Sequence, residues 1–301
     1  MLAGEYAVLQ PHGICVAVAV GEVVRARVTD GDPGVTLHAF GKTFDLQSDP
    51  ANGLIGFVTR ALQWLKKQHH LELNRHLQLD VQGAVGDAKV GLGTSAAVTV
   101  ATIKAVLGLN ALEWTAAEIA AAAREIHAAG QGAGSGYDVT TIAYGGCVRY
   151  ERSPDRAVRL EWPKDLYGAA LFSGQPAPTQ AAVEKHPLPP AVLAEIDAAA
   201  RALVAAWDSD APAILAALAT CDSAFLAAAA LDPSLIPASV GVLREFISAS
   251  GCIPRASGAG GGDCVLAFGE QDRIASLCAG WEKRGGAVIA RFPADIAKET
   301  P

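Results

Sequence analysis

Lys89-Val-Gly-Leu-Gly-Thr-Ser-Ala-Ala-Val-Thr99 places two glycines and two hydroxyl residues directly ahead of an apolar run that continues to Leu109. Gly91 and Gly93 have no Cβ, so the backbone can turn tightly there and approach a ligand closely. Thr94 or Ser95 is the predicted N-cap of a helix over Ala96–Leu109. Unpaired N–H groups and a partial positive charge at such a terminus favour an anion, above all a phosphate. Lys89, Gly91, Leu92, Gly93, Thr94, Ser95 and Ala96 are therefore the candidate phosphate-binding residues. The Thr94 and Ser95 hydroxyls are within reach of a phosphate-bound Mg²⁺. Alone this is a weak signal: glycine supplies 31 of 301 residues, and no Gly-Lys-Ser/Thr of a Walker A loop follows.

Two further glycine-rich stretches strengthen it. Ser257-Gly-Ala-Gly-Gly-Gly-Asp-Cys264 has no bulky side chain before its aspartate. Ordering oligoglycine costs entropy that a bound anion can offset. Gly134-Ser-Gly-Tyr-Asp138, followed by Gly145-Gly146, holds the only carboxylate between Glu125 and Glu151. Taken alone, that aspartate reads as a turn-former or cap.

Composition narrows the class. A hydrophobic share of 51% with 18% charged residues describes a well-cored globular chain. A net charge of −7 argues against general nucleic-acid affinity, so an anionic ligand must meet local cations. The six cysteines form no CxxC pair, which reads as reduced core thiols. The Ala-rich runs are broken by charged residues, so no membrane partner is expected, and without a signal peptide the expected compartment is the cytoplasm. Strands are predicted over 14–20, 22–28, 77–81, 147–151, 158–162, 168–172, 264–268 and 287–292, with a short strand pair over 35–44 broken at Gly41. Helices are predicted over 55–67, 96–109, 115–129, 191–207, 211–229, 234–249 and 271–284. Residues 130–138 and 252–262 read as loops. Blocks of strands and helices favour an α+β fold.

The three loops, in this order and wording, resemble the GHMP kinase superfamily over nearly the whole chain. Gly4-Glu5-Tyr6-Ala7-Val8-Leu9 is similar to its first motif, Gly91-Leu-Gly-Thr-Ser-Ala-Ala97 to its second and Ser257–Cys264 to its third. The wording is nearest the phosphomevalonate kinase branch, in Lys89 before the loop and in Gly132-Ala-Gly-Ser-Gly-Tyr-Asp138. The resemblance implies a ribosomal-S5-like ATP-binding domain over 1–165 and a ferredoxin-like domain over 166–301. It implies ATP with Mg²⁺ as cofactor and 5-phosphomevalonate as small-molecule acceptor, in a monomer or homodimer. Asp138 and Lys89 then become the catalytic candidates, with Thr94 and Ser95 beside the metal. Glu5, Tyr6, Ser135, Gly136, Asp138, Arg255, Ser257, Gly258, Gly260 and Gly261 become acceptor-side candidates. Arg149, Lys185 and Arg255 are candidate cations for the acceptor.

A phosphomonoester acceptor, with a second pKa of about 6, is mostly dianionic at neutral pH and needs no strong base. Bringing two charged phosphates together is the harder task. One feature departs from the superfamily, which carries Pro-Gly-Lys just before the first motif. This chain begins at Met1, and the expectation is that the natural protein extends upstream. The competing expectations are mevalonate kinase or another small-molecule kinase of this superfamily, and a non-catalytic regulator that binds ATP or a metabolite.

Overall fold

The computed structural model describes residues 1–21, 23–48, 53–82, 84–85, 88–89, 91–131, 134–174 and 188–297, with backbone only at 84, 85, 88, 89 and 131. Contacts group the chain into two compact units, Glu22–Gly145 and Met1–Gly21 with Gly146–Pro301. This grouping does not coincide with the division at 165/166 expected from sequence.

In the unit Glu22–Gly145, strands β2 (Val24–Thr29), β3 (Gly34–Ala39), β4 (Lys42–Asp45) and β5 (His76–Val81) form a sheet of order β2-β5-β3-β4. The β3–β5 pairing is parallel, with β4 and helix α1 (Gly53–His69) in the connection between them. Helix α2 (Thr94–Leu109) is mostly apolar and mostly buried, with Lys104 and Gly108 on its accessible side. Val98 joins Leu37, Leu77 and Leu79 of the sheet. Ala96, Val100 and Ile103 join residues of α1, α3 (Ala116–Gln131) and α4 (Tyr137–Tyr144) instead. Each fully buried Leu, Ile or Val in such a core stabilises the fold by about 1.5–3 kcal/mol. The capping box expected at α3 is present: Thr115 N–H donates to Glu118 Oε2 at 2.7 Å, and Glu118 N–H donates back to Thr115 Oγ1 at 3.3 Å.

In the other unit, β1 (Ile14–Val18), β8 (Cys147–Glu151) and β9 (Arg156–Leu160) form one antiparallel sheet. A second sheet has the order β11-β12-β10-β13, from β10 (Tyr167–Phe172), β11 (Ile253–Ala256), β12 (Cys264–Gly269) and β13 (Val288–Phe292). Helices α5 (Pro190–Ala206), α6 (Ala211–Leu231) and α7 (Ala238–Ala249) lie between β10 and β11 in sequence, and α8 (Gln271–Lys283) between β12 and β13. Strand, helices, strand, strand, helix, strand along the chain, with the spatial order β11-β12-β10-β13, is the split βαβ, ferredoxin-like arrangement. β11 lies where the sequence reads as a loop. Its run Ile253-Pro-Arg-Ala256 lacks an alternating pattern because three of the four residues are buried.

Helix α6, with mean hydropathy 1.9, is long and apolar enough by length and composition to cross a membrane, which the sequence reading did not expect. Ile214, Leu218, Phe225 and Ala228 of this helix sit in the hydrophobic core, and Asp222 pairs with Arg244. All six cysteines are buried free thiols, as expected. Burial pushes the Cys221 thiol up to about 12. A thiol reagent at neutral pH is expected to label none of the six in the folded protein and all six in denaturant; fast labelling under native conditions would contradict this burial.

Candidate functional site

The candidate residues fall in both units. In the unit Glu22–Gly145, Gly91 and Gly93 adopt left-handed φ values of 67° and 71°. Gly93 itself is the N-cap of α2, with no side-chain cap hydrogen bond. The expectation of a Thr94 or Ser95 cap is thereby corrected: both residues lie inside the first turn, and only glycine takes the left-handed cap position without strain. The Thr94 hydroxyl is buried with no partner among the described residues. An uncapped helix start beside an unsatisfied hydroxyl fits a phosphate and its associated cation. Lys89 lies in the short β7 (Ala88–Lys89), paired with β6 (Ala84–Val85); its side chain lies outside the described residues, as does Lys185.

Asp138 is half-buried in the first turn of α4, whose N-cap is Gly136 at φ 74°. The sequence reads this aspartate as loop. The structure moves it onto a helix, where a carboxylate is favoured by the dipole, and Val139 N–H donates to Asp138 Oδ1 at 2.9 Å. Ser135 and Gly136 lie three and two residues before it and are half-buried.

His127 of α3 is a functional candidate that the sequence reading missed. Its Nε2 lies 3.2 Å from Ser95 Oγ, and its ring centroid lies 5.0 Å from that of Phe57. Burial holds the imidazole below its usual pKa, Asp138 opposes that shift and Arg60 adds to it. In sequence His127 only continues the helical stripe Ile119, Ala123 and Ile126, which reads as core and marks no function. Two cations flank the loop leading to Asp138. A Cβ at Gly130 would lie 2.6 Å from Arg60 Nε, and one at Gly136 would lie 2.7 Å from Arg124 Cδ. Arg124 also donates to Thr140 Oγ1 at 2.9 Å.

In the other unit, the first and third motifs meet. Arg255 and Glu5 form an ion pair with exposures of 0% and 1%, and Arg255 Nε donates to the Leu2 carbonyl at 3.0 Å. Asp222 accepts from Arg244 Nη2 at 2.7 Å and lies 3.7 Å from Arg255 Nη1. Burial pushes the Asp222 carboxyl up, against the pull of Arg244 and Arg255. Glu5 and Arg255 are thus engaged with each other inside the protein, where the sequence reading places them on the acceptor. Tyr6, at φ 62°, donates its hydroxyl to the Ala259 carbonyl. Ser257, Gly258, Gly260 and Gly261 lie half-buried in the third motif, and Gly261 N–H donates to the Leu235 carbonyl at 2.9 Å. Arg149 is half-buried on β8.

Gly260 sits at φ 85°, and a Cβ there would lie 2.8 Å from the Leu235 carbonyl oxygen. Gly260→Ala is expected to destabilise the protein by about 2–4 kcal/mol, from left-handed strain plus overpacking. A chemical-denaturation midpoint unchanged from wild type would contradict that geometry.

Residues 56–146 match the family described as GHMP kinases N terminal domain. The chain carries a GHMP kinase N-terminal domain. Mevalonate kinase of Saccharolobus solfataricus is 28% identical over 158 residues, covering 50% of this chain and 48% of that enzyme. Phosphomevalonate kinase of a Streptomyces species is 29% identical over 188 residues, covering 53% and 49%. The chain spans about half the length of these curated relatives. Among solved structures, Streptococcus pneumoniae phosphomevalonate kinase, in complex with phosphomevalonate and AMPPNP, superposes with a TM-score of 0.80 at 19% identity. That alignment covers 96% of each chain. The GHMP kinase fold therefore extends over the whole chain, with the two glycine turns and Asp138 inside its N-terminal domain.

Proposed function

We propose that this GHMP kinase domain belongs to a phosphomevalonate kinase of the mevalonate pathway, transferring the γ-phosphoryl group of ATP to (R)-5-phosphomevalonate. One observation supports a phosphate as acceptor above a hydroxyl: Arg60 and Arg124 lie against the backbone at Gly130 and Gly136, ahead of Asp138 in sequence. In an acidic protein, such local cations suit an acceptor whose reacting group is a phosphate dianion.

In this reading the α2 turn and Lys89 hold the ATP phosphates, and Thr94 and Ser95 lie beside Mg²⁺. When bound, Mg²⁺ neutralises charge on the transferring phosphates. Asp138 and Ser135 orient the acceptor, and the third-motif glycines allow close backbone approach of a ligand. A phosphate oxygen of the acceptor attacks the γ-phosphorus of ATP, the bond to the bridging oxygen breaks, and ADP leaves. The enzyme works in the cytoplasm as a monomer or homodimer. The domain division at 165/166 is retained as the family's division into S5-like and ferredoxin-like parts.

Mevalonate kinase is the second reading, favoured by the curated relatives, most of which carry that name. A coupled ADP-release assay with Mg-ATP and 5-phosphomevalonate, mevalonate or no acceptor separates the two. Turnover with 5-phosphomevalonate alone is expected; turnover with mevalonate would move the assignment to the hydroxyl acceptor. Nucleotide binding without turnover would favour a regulatory protein.

A further inference from the structure

Ser95 lies one residue inside the Gly93 cap, in the first turn of α2. A serine hydroxyl is a rotor with one donor and two acceptor positions, and a single fixed partner selects its orientation. His127 supplies such a partner from α3, with Nε2 at 3.2 Å. The imidazole is itself held firmly: it is 7% exposed and packs against Phe57. From α4, the Asp138 carboxylate faces the same ring electrostatically, and Arg60 does so from α1. One side chain thus touches the phosphate turn and senses the catalytic aspartate, although Ser95 and Asp138 are 43 positions apart in sequence.

We propose that His127 is a positioning residue for the nucleotide, holding the Ser95 hydroxyl in the orientation that serves the ATP phosphates. This rests on reading Gly91–Ser95 as the nucleotide phosphate loop. With Nε2 protonated, the ring donates to Ser95 Oγ and restricts where the hydroxyl proton can point. In the other tautomer the hydroxyl donates to the ring and its oxygen faces outward. Either way the ring removes a rotational freedom that the loop would otherwise lose on binding.

The test is a double-mutant cycle on the affinity for ADP, measured calorimetrically with Mg²⁺ and again in EDTA. The proteins are wild type, His127→Phe, Ser95→Ala and the double variant, with His127→Gln as a hydrogen-bonding replacement. His127→Phe is expected to weaken ADP binding by about tenfold, the upper range for one hydrogen bond. In the Ser95→Ala background the same change is expected to have almost no effect, and His127→Gln to keep most of the affinity. Equal losses in both backgrounds would show that His127 acts through packing alone and would overturn the inference while leaving the kinase reading intact. Wild-type protein that binds no ADP would overturn both.

Discussion

Arg255→Met is expected to destabilise the protein by about 3–5 kcal/mol, because it removes one partner from a buried ion pair and strands Glu5. Arg255 is fully buried and holds three groups at once: the Glu5 carboxylate, the Leu2 carbonyl and, at 3.7 Å, Asp222. With the guanidinium gone, Glu5 must stay charged without compensation or take up a proton, and either costs free energy. The measurement is urea unfolding, followed through the tryptophan fluorescence of Trp162 and Trp207, which pack in the same unit. Combining the change with Glu5→Gln is expected to recover part of the loss, since the stranded charge goes as well. A loss below about 1 kcal/mol, together with a raised KM for the acceptor, would contradict the buried role and restore Arg255 to the acceptor.

Asp138→Asn is expected to lower kcat by about a hundredfold with 5-phosphomevalonate, at the low end for a residue of this kind. The change keeps the shape and an acceptor for the Val139 N–H but removes the charge. A phosphate dianion already carries its nucleophilic oxygen, so Asp138 has orientation and local charge balance to supply, with little proton removal. Steady-state kinetics at saturating ATP give the number. A loss of about ten-thousandfold would mark Asp138 as an essential general base and point to a hydroxyl acceptor.

Much of this was legible in the sequence, and what was missed shares a physical cause. The α2 run, the Thr115–Glu118 capping box and the terminal strand of the ferredoxin-like sheet follow from local patterns: apolar periodicity, reciprocal caps, β-branched runs. The helix at Tyr137–Tyr144 was hidden because its cap is Gly136 in the left-handed conformation, in a run of glycines that reads as loop. β11 was hidden because burial on both faces erases the alternation that marks a strand. The cap of α2, expected at Thr94 or Ser95, lies one or two residues earlier at Gly93, because serine and threonine outrank glycine as caps unless the backbone must turn left-handed.

The site divides in the same way. Gly91, Gly93, Ser95 and Asp138 could be named from motif wording. The Arg255–Glu5 pair joins residues 250 positions apart, and no local pattern reports such a pairing. An arginine in a glycine-rich neighbourhood was assigned to a ligand when it pairs inside the fold. His127, Arg60 and Arg124 were passed over for the opposite reason: each sits within an ordinary helix, and only packing of α1, α3 and α4 brings them to the loop.

The most direct test of the proposed reaction is the ³¹P NMR spectrum of the product formed from Mg-ATP and 5-phosphomevalonate. The account predicts a pair of mutually coupled resonances of a new phosphoanhydride, separate from those of ADP. No such pair with 5-phosphomevalonate, and instead a single phosphomonoester resonance when mevalonate is supplied, would contradict it.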